Sequence, residues 1–286
     1  MIHELCISGG GIRGLAYLSA VYELQKRKML TKLKKVSATS IGVFIAICLI
    51  LGQDLSELIQ MLFDYDFKDL KDINIRGIFG ESHSIMKGEK IYDLFEKSMS
   101  TNKYYKNDLT LYDLYEISSG IELIAVSFCV STLKLVYINY KSHPQLYLTD
   151  LIRMCTAIPL ILPPFRLSNK LYVDGGVINN TPYNVLSKDC WVIRGTPSDT
   201  VTTGVENEED SNLRSSEYFI NIIKMFYIKY SSPKGTAKPD SPKGSHVIYV
   251  DTGDISVTSF NLNPDQKFSL LLSGKHAVIN KLKKIF

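Results

Sequence analysis

Near its start the chain passes from a short apolar run, Leu5-Cys6-Ile7, into Gly9-Gly10-Gly11-Ile12-Arg13-Gly14, and then into apolar residues at helical spacing from Arg13 to Lys28. That order predicts a strand near Glu4 to Ser8, a tight turn and a helix. Consecutive glycines admit positive φ and carry no side chains, so backbone N–H groups and the start of the next helix can converge on one anionic atom. A short strand over Lys35 to Ala38 and a helix over Ile41 to Leu51 follow. Strand, crossover helix and strand in succession predict a parallel sheet between helical layers, with the functional site beyond the strands' carboxyl ends.

Between Leu55 and Tyr115 the pattern is mixed. Leu55, Leu58, Ile59 and Leu62 recur at helical spacing, and Ile91, Leu94 and Phe95 do so again after a connector, so this region is the candidate cap or lid. Ile121 to Val130 and Leu133 to Tyr140 read as a hairpin appended to the sheet. A helix is expected from Leu148 to Ile158, stopping at Pro159, and Leu171 to Val173 is a short strand ending at Asp174-Gly175-Gly176. Trp191 to Ile193 and His246 to Asp251 read as further strands, and Pro264 to Ile285 as a closing helix. Thr200 to Ser211 and Ser231 to Ser245 have the composition of mobile surface loops. Between them Phe219, Ile222, Ile223, Phe226 and Tyr230 form an apolar stripe on a predicted helix, which could dock on the core or enter a lipid interface.

With 286 residues and no internal repeat, the expectation is one α/β domain spanning residues 1–286. A formal charge of +4 does not call for nucleic acid as a partner. Lysines gather at Lys26 to Lys28, Lys32 to Lys35 and Lys281 to Lys284, either as solvated faces or as contacts to anionic lipid. The five cysteines are odd in number, widely spaced and set in apolar segments, so they read as reduced, buried thiols rather than metal ligands or redox pairs. The longest apolar run, Val43 to Leu51, falls short of the ~20 residues a membrane helix needs and reads as a buried helix. Met1 leads into the first strand without the features of a secretory signal, so the expected location is cytoplasmic, with any membrane contact peripheral.

The chemistry is carried by three short stretches. Ala38-Thr39-Ser40-Ile41-Gly42 lies where the second strand should turn into its helix, the setting of a GxSxG nucleophile elbow, with Ala38 in place of the first glycine. Small neighbours are needed there because the serine is held in a strained turn with its hydroxyl raised above the sheet. Asp174 closes another predicted strand, and Gly175 and Gly176 permit close approach of a ligand or another backbone. Each of these matches is common by itself. Glycine loop, elbow serine and Asp-Gly-Gly in this order, each closing a strand, define a constellation.

That constellation resembles the patatin-like phospholipase family, which takes in patatin and the cytosolic phospholipase type of lipid acyl hydrolase. Cys155-Thr156-Ala157-Ile158-Pro159 with Pro163-Pro164 is similar to the family's segment before Asp-Gly-Gly, and Asn180 and Pro182 also fit. The resemblance implies a three-layer α/β/α fold and a Ser40/Asp174 dyad, with Ser40 as nucleophile and Asp174 as base. It further implies an oxyanion hole drawn from Gly9, Gly10, Gly11, Ile12, Arg13 and Gly14, with Gly42, Gly175 and Gly176 as supporting positions. Gly9, Gly11 and Gly14 match the family's GxGxxG, and Arg13 would help to order the loop. The implied reaction is hydrolysis of fatty acyl esters, with a phospholipid or related ester as substrate, transient contact with a membrane surface, and neither metal nor cofactor.

Other readings compete. A glycine fingerprint after a first strand also marks dinucleotide-binding oxidoreductases, but these need an acid near the end of the second strand, where this chain has Lys34, Lys35, Val36, Ser37 and Ala38. A histidine triad would have to use His246 or His276, both placed in predicted regular elements. Ser40 could serve only as the N-cap of the helix that follows it. A catalytically silent lipid-surface binding protein on the same fold is the remaining alternative.

Overall fold

The computed structural model describes residues 1–79, 83–132, 134–196 and 244–285. The predicted loop at 200–211 and the aromatic helix lie outside the described residues, as does the 231–245 loop apart from Gly244 and Ser245. The strands are β1 (Glu4–Ile7), β2 (Lys35–Thr39), β3 (Glu122–Cys129), β4 (Lys134–Ile138), β5 (Phe165–Leu167), β6 (Lys170–Asp174), β7 (Trp191–Gly195) and β8 (His246–Val250). The α-helices are α1 (Gly14–Lys26), α2 (Ile41–Ile50), α3 (Leu55–Asp64), α4 (Glu89–Ser100), α5 (Leu111–Ile117), α6 (Leu148–Thr156) and α7 (Pro264–Lys283).

The eight strands among the described residues join one mixed sheet in the order β5-β6-β3-β2-β1-β7-β8, with β4 also paired to β3. The central β3-β2-β1-β7-β8 run is parallel throughout, as the alternation of strand and helix demands. β4 forms the expected antiparallel hairpin with β3, and β6 also runs antiparallel to β3. Helices flank the sheet: α2 packs on β2 and β1, α6 on β6 and β3, and α7 on α1 and β8.

Register explains how distant loops meet. Lys35 to Thr39 of β2 pair with Glu122 to Val126 of β3, while Tyr172 to Asp174 of β6 pair with Cys129 to Ser127. β4 occupies the other edge of β3, pairing with Ala125 to Cys129. A strand has only two edges, so β2 and β6 share one edge of β3 and meet end to end. Thr39 faces Val126 and Asp174 faces the next residue, Ser127. The Ser127 hydroxyl bonds the carbonyls of Val173 at 2.8 Å and Met154 at 3.1 Å, fastening β6 and α6 at this junction.

The core follows from the apolar pattern. α2 is apolar on every side and buried from Gly42 to Ile50, which accounts for its lack of an amphipathic face. Its Phe44 stacks on Phe95 of α4 with ring centroids 4.5 Å apart, tying the 55–115 region to the sheet. All five cysteines are free and buried, and among the described residues no helix is long and apolar enough to cross a membrane.

Several predicted bounds shift. The first helix begins at Gly14, because Gly11–Arg13 form a 3-10 turn, and ends at Lys26, with Lys28 at φ +58°. The helix before Pro159 stops at Thr156 rather than Ile158, since a residue preceding proline is pushed out of the helical region. β5 was not legible as a strand. It is three residues long, follows Pro163-Pro164 and joins β6 through Ser168 and Asn169, both at positive φ as in a tight hairpin turn.

Gly274 of α7 lies where α1 comes closest, and a Cβ there would overlap the Ala16 carbonyl and sit 3.0 Å from the Ala20 nitrogen. Both obstacles are backbone and cannot swing aside. Gly274→Ala should therefore cost about 1–3 kcal/mol of stability, read as a lower urea midpoint at unchanged m-value. An unchanged midpoint would show that the two helices separate freely.

Candidate active site

Ser40 sits between β2 and α2 at φ 55° and ψ −134°, a conformation that non-glycine residues rarely adopt. It occupies the N-cap position of α2, yet its side chain makes no capping hydrogen bond, so the capping role is not realised. The turn is possible because its neighbours are small. A Cβ on Gly42 would lie 2.5 Å from the Ile7 carbonyl oxygen and 2.9 Å from that of Ser8, so α2 starts directly against the end of β1. A Cβ on Gly9 would lie 2.9 Å from the Ser40 Cβ, which places the glycine loop beside the elbow.

Asp174 ends β6, and its Oδ1 accepts the Gly176 N–H at 2.7 Å. The residue is only 4% exposed. Burial pushes its carboxyl from the ordinary 3.8 up to about 6, against the opposing influence of hydrogen bonds from the Ser40 hydroxyl and the Gly176 amide. The hydroxyl and the carboxylate are thus neighbours, as the end-to-end meeting of β2 and β6 requires. Gly175 lies flat over Val126, where a Cβ would sit 2.7 Å from backbone atoms.

Most amides of the glycine loop are already engaged. The Gly9 N–H bonds the Asn180 carbonyl at 3.1 Å, the Arg13 N–H that of Gly10 at 3.1 Å, and the Gly14 N–H those of Gly11 and Ile12. The Ile12 N–H bonds the Val257 carbonyl at 3.0 Å. Among the described residues this leaves the Gly10 and Gly11 amides without an acceptor. Gly11, at φ +53°, faces Val257 so closely that no side chain fits. The Arg13 Nε donates to the Ile255 carbonyl at 2.5 Å and so ties the loop to the segment after β8. Gly14 packs against Ile41, where a Cβ would lie 2.6 Å from the Ile41 Cγ1.

The turn after Asp-Gly-Gly braces all three stretches. Asn180 holds Gly9 on both sides, its Nδ2 donating to the Gly9 carbonyl at 3.0 Å while its own carbonyl accepts the Gly9 N–H. The Asn179 carbonyl accepts the Thr39 hydroxyl at 3.1 Å, and the Thr181 and Ser8 hydroxyls are 2.8 Å apart. The sequence marked Asn180 through the family resemblance. It gave no signal for Val257, which contributes backbone alone.

Ser40 and Gly11 open onto an apolar cavity of about 110 Å³, far larger than the ~10–15 Å³ that holds one water. Ile41, Phe44 and Ile45 line one wall, and Leu62, Phe67 and Leu94 from the 55–115 region line another. Val257, Thr258 and Phe260 from the segment after β8 complete it. His246 opens β8 and His276 lies in α7, and neither lines this cavity. Among the described residues no group of three or more His, Cys, Asp or Glu side chains is placed to hold a metal.

A fold with this end-to-end strand junction, and a serine and a carboxyl at its seam, defines a class. The patatin-like phospholipase profile matches residues 5–187, and the chain belongs to that family. It is 27% identical over 188 residues to "Probable lipid hydrolase 463L" of Invertebrate iridescent virus 6, a match covering 64% of this chain and 63% of that protein, so the chain spans less than two thirds of that relative. Among solved structures it is similar to VipD from Legionella pneumophila, with TM-score 0.59 and 17% identity over 99% of this chain and 67% of that one. It is also similar to human GIVD cytosolic phospholipase A2 in complex with methyl gamma-linolenyl fluorophosphonate, with TM-score 0.52 and 11% identity over 99% of this chain and 58% of that one. Both structural likenesses show the fold.

A raised carboxyl fixes the sign of a stability effect. The folded Asp174 binds its proton more tightly than the unfolded one, so its contribution favours folding below pH 3.8 and is lost as pH rises through about 6. Asp174→Asn removes that loss. Relative to wild type, the variant should gain about 2–3 kcal/mol of stability between pH 4 and pH 8, measured by denaturant unfolding at the two pH values. A stability difference independent of pH would show that Asp174 titrates at an ordinary value.

Proposed function

We propose that the protein is a lipid acyl hydrolase that cleaves fatty acyl esters of phospholipids or related lipids through Ser40 and Asp174. The observation that carries this reading is the Ser40 hydroxyl, held in a strained turn against a buried carboxyl whose pKa is near 6, at the mouth of an apolar cavity. Family membership supports the lipid substrate class, and the name of the iridescent virus relative points the same way.

The acyl chain lies in the apolar cavity, with the ester carbonyl at Ser40. The Ser40 oxygen attacks the carbonyl carbon while its proton passes to the Asp174 carboxylate. Negative charge gathers on the carbonyl oxygen, where the Gly10 and Gly11 amides are the available donors; each donor of this kind is worth roughly 10²–10³ in turnover. The intermediate collapses, the leaving alcohol takes the proton from Asp174, and the acyl group stays on Ser40. Water then attacks the acyl-enzyme and yields its proton to Asp174. Free fatty acid leaves, and the proton returns to Ser40.

A carboxylate in water is a poor base at neutral pH. Burial that brings its pKa to about 6 makes Asp174 a stronger one while leaving it mostly ionised at pH 7. In this reading the 55–115 region acts as the cap over the cavity, and contact with the lipid surface is peripheral, from the cytoplasmic side.

Ser40→Ala and Asp174→Asn should each lower kcat/KM for a soluble short-chain ester by at least about 10³, with folded spectra retained. Near-wild-type turnover in either variant would refute the dyad, and a wild-type protein inert towards esters would favour a lipid-binding role on the same fold. Because the base must be ionised, kcat/KM should rise with pH to a plateau above about 6 and fall tenfold per unit below it. A profile flat down to pH 4.5 would remove Asp174 from the base role.

A further inference from the structure

Lys267 of α7 is 5% exposed and stands apart from Ser40 and Asp174, in a part of the chain beyond the residues that match the family. A buried ammonium needs partners, and this one has them in a single place. Its Nζ donates to the Phe63 carbonyl at 2.8 Å and to the Tyr65 carbonyl at 2.5 Å, and lies 4.5 Å from the centre of the Phe67 ring. Phe63 and Tyr65 stand at the end of α3, where backbone carbonyls have no partner within the helix, so the cation closes that end. Asp64 and Asp66 are near enough to favour the charge, while burial opposes it.

The corner that Lys267 holds is also a wall of the cavity. Leu62, Phe67 and Leu70 line the same space as Ser40. A second lysine ties this corner to the C-terminal part of the chain, the Lys71 Nζ donating to the Asn261 Oδ1 at 2.7 Å, next in sequence to Phe260, which also lines the cavity. One cationic tie thus joins the 62–71 corner to α7, and the other joins it to the segment that supplies Val257, Thr258 and Phe260 to the cavity. An apolar cavity gains selectivity among chain lengths only if its walls keep their separation when a chain enters or is missing.

We propose that Lys267 is a positioning residue for acyl-chain selectivity, pinning the 62–71 corner so that the cavity keeps one width and depth. The inference rests on the reading of this cavity as the acyl site. Without the cation, the carbonyls of Phe63 and Tyr65 lose their partner, the corner moves, and the preference among chain lengths flattens.

The test compares the whole protein with Lys267→Met, Lys267→Arg and Lys71→Met. One measurement is the affinity for free butyrate, octanoate, laurate and palmitate, which needs no turnover; the other is kcat/KM on the p-nitrophenyl esters of the same acids. In Lys267→Met the ratio of best to worst chain length should fall about tenfold in both, and Lys267→Arg should retain most of the wild-type ratio. Lys71→Met, on an exposed side chain, should move the ratio in the same direction. A folded Lys267→Met with the wild-type ratio overturns the proposal; if that variant does not fold, an unchanged ratio in Lys71→Met does so. A wild-type protein that binds none of the four acids refutes the acyl site itself, an outcome distinct from equal binding by wild type and variants.

Discussion

The site depends on one register. β2 and β6 share an edge of β3 and run towards each other, ending opposite Val126 and Ser127. Adjacent positions along a strand are ~3.3 Å apart, so whatever follows Thr39 must face whatever ends β6. Ser40 and Asp174 are neighbours because the backbone hydrogen bonds of β3 leave them nowhere else to go. A slip of one residue would also turn Val173 and Asp174 to the opposite faces of the sheet. The Ser127 hydroxyl and the close seat of Gly175 on Val126 both reinforce this junction.

Close approach is the second requirement, and it falls on the glycines. Gly9 beside Ser40, Gly42 against the end of β1 and Gly11 under Val257 are places where a Cβ would overlap something. The same compactness keeps water from Asp174 and gives the carboxyl its raised pKa. A stability cost at neutral pH and the base strength that the proposed mechanism asks of Asp174 thus come from one cause. The segment after β8 adds a constraint from outside, since the Val257 carbonyl holds the Ile12 N–H and the Ile255 carbonyl holds the Arg13 side chain.

Much of this was legible in the residues. The apolar run, glycines and helix at the start, the Ala38-Thr39-Ser40-Ile41-Gly42 elbow and the Asp174-Gly175-Gly176 turn each fix a local conformation, and local conformation is what a sequence writes most plainly. The parallel core and the β3–β4 hairpin followed from periodicity. The pairing of β6 with β3 did not, because it depends on long-range register that no local pattern encodes. β5 was missed for its length, the start of α1 because a 3-10 turn over Gly11–Arg13 precedes it, and its end because Lys28 takes a positive φ that its residue type does not announce. Val257 and Lys267 were invisible for different reasons. The first acts through its carbonyl, which every residue has, and the second is a single lysine in the closing helix with no local pattern that marks it as buried.

The coupling of Ser40 to Asp174 can be observed without turnover by following the Asp174 side-chain carboxyl by ¹³C NMR as pH is varied, in wild type and in Ser40→Ala. The expected midpoint is near 6 in wild type and higher in the variant, because the hydroxyl that favours the ionised form is gone. A midpoint near 4 in both proteins would contradict it, showing a carboxyl that is neither desolvated nor in contact with the serine.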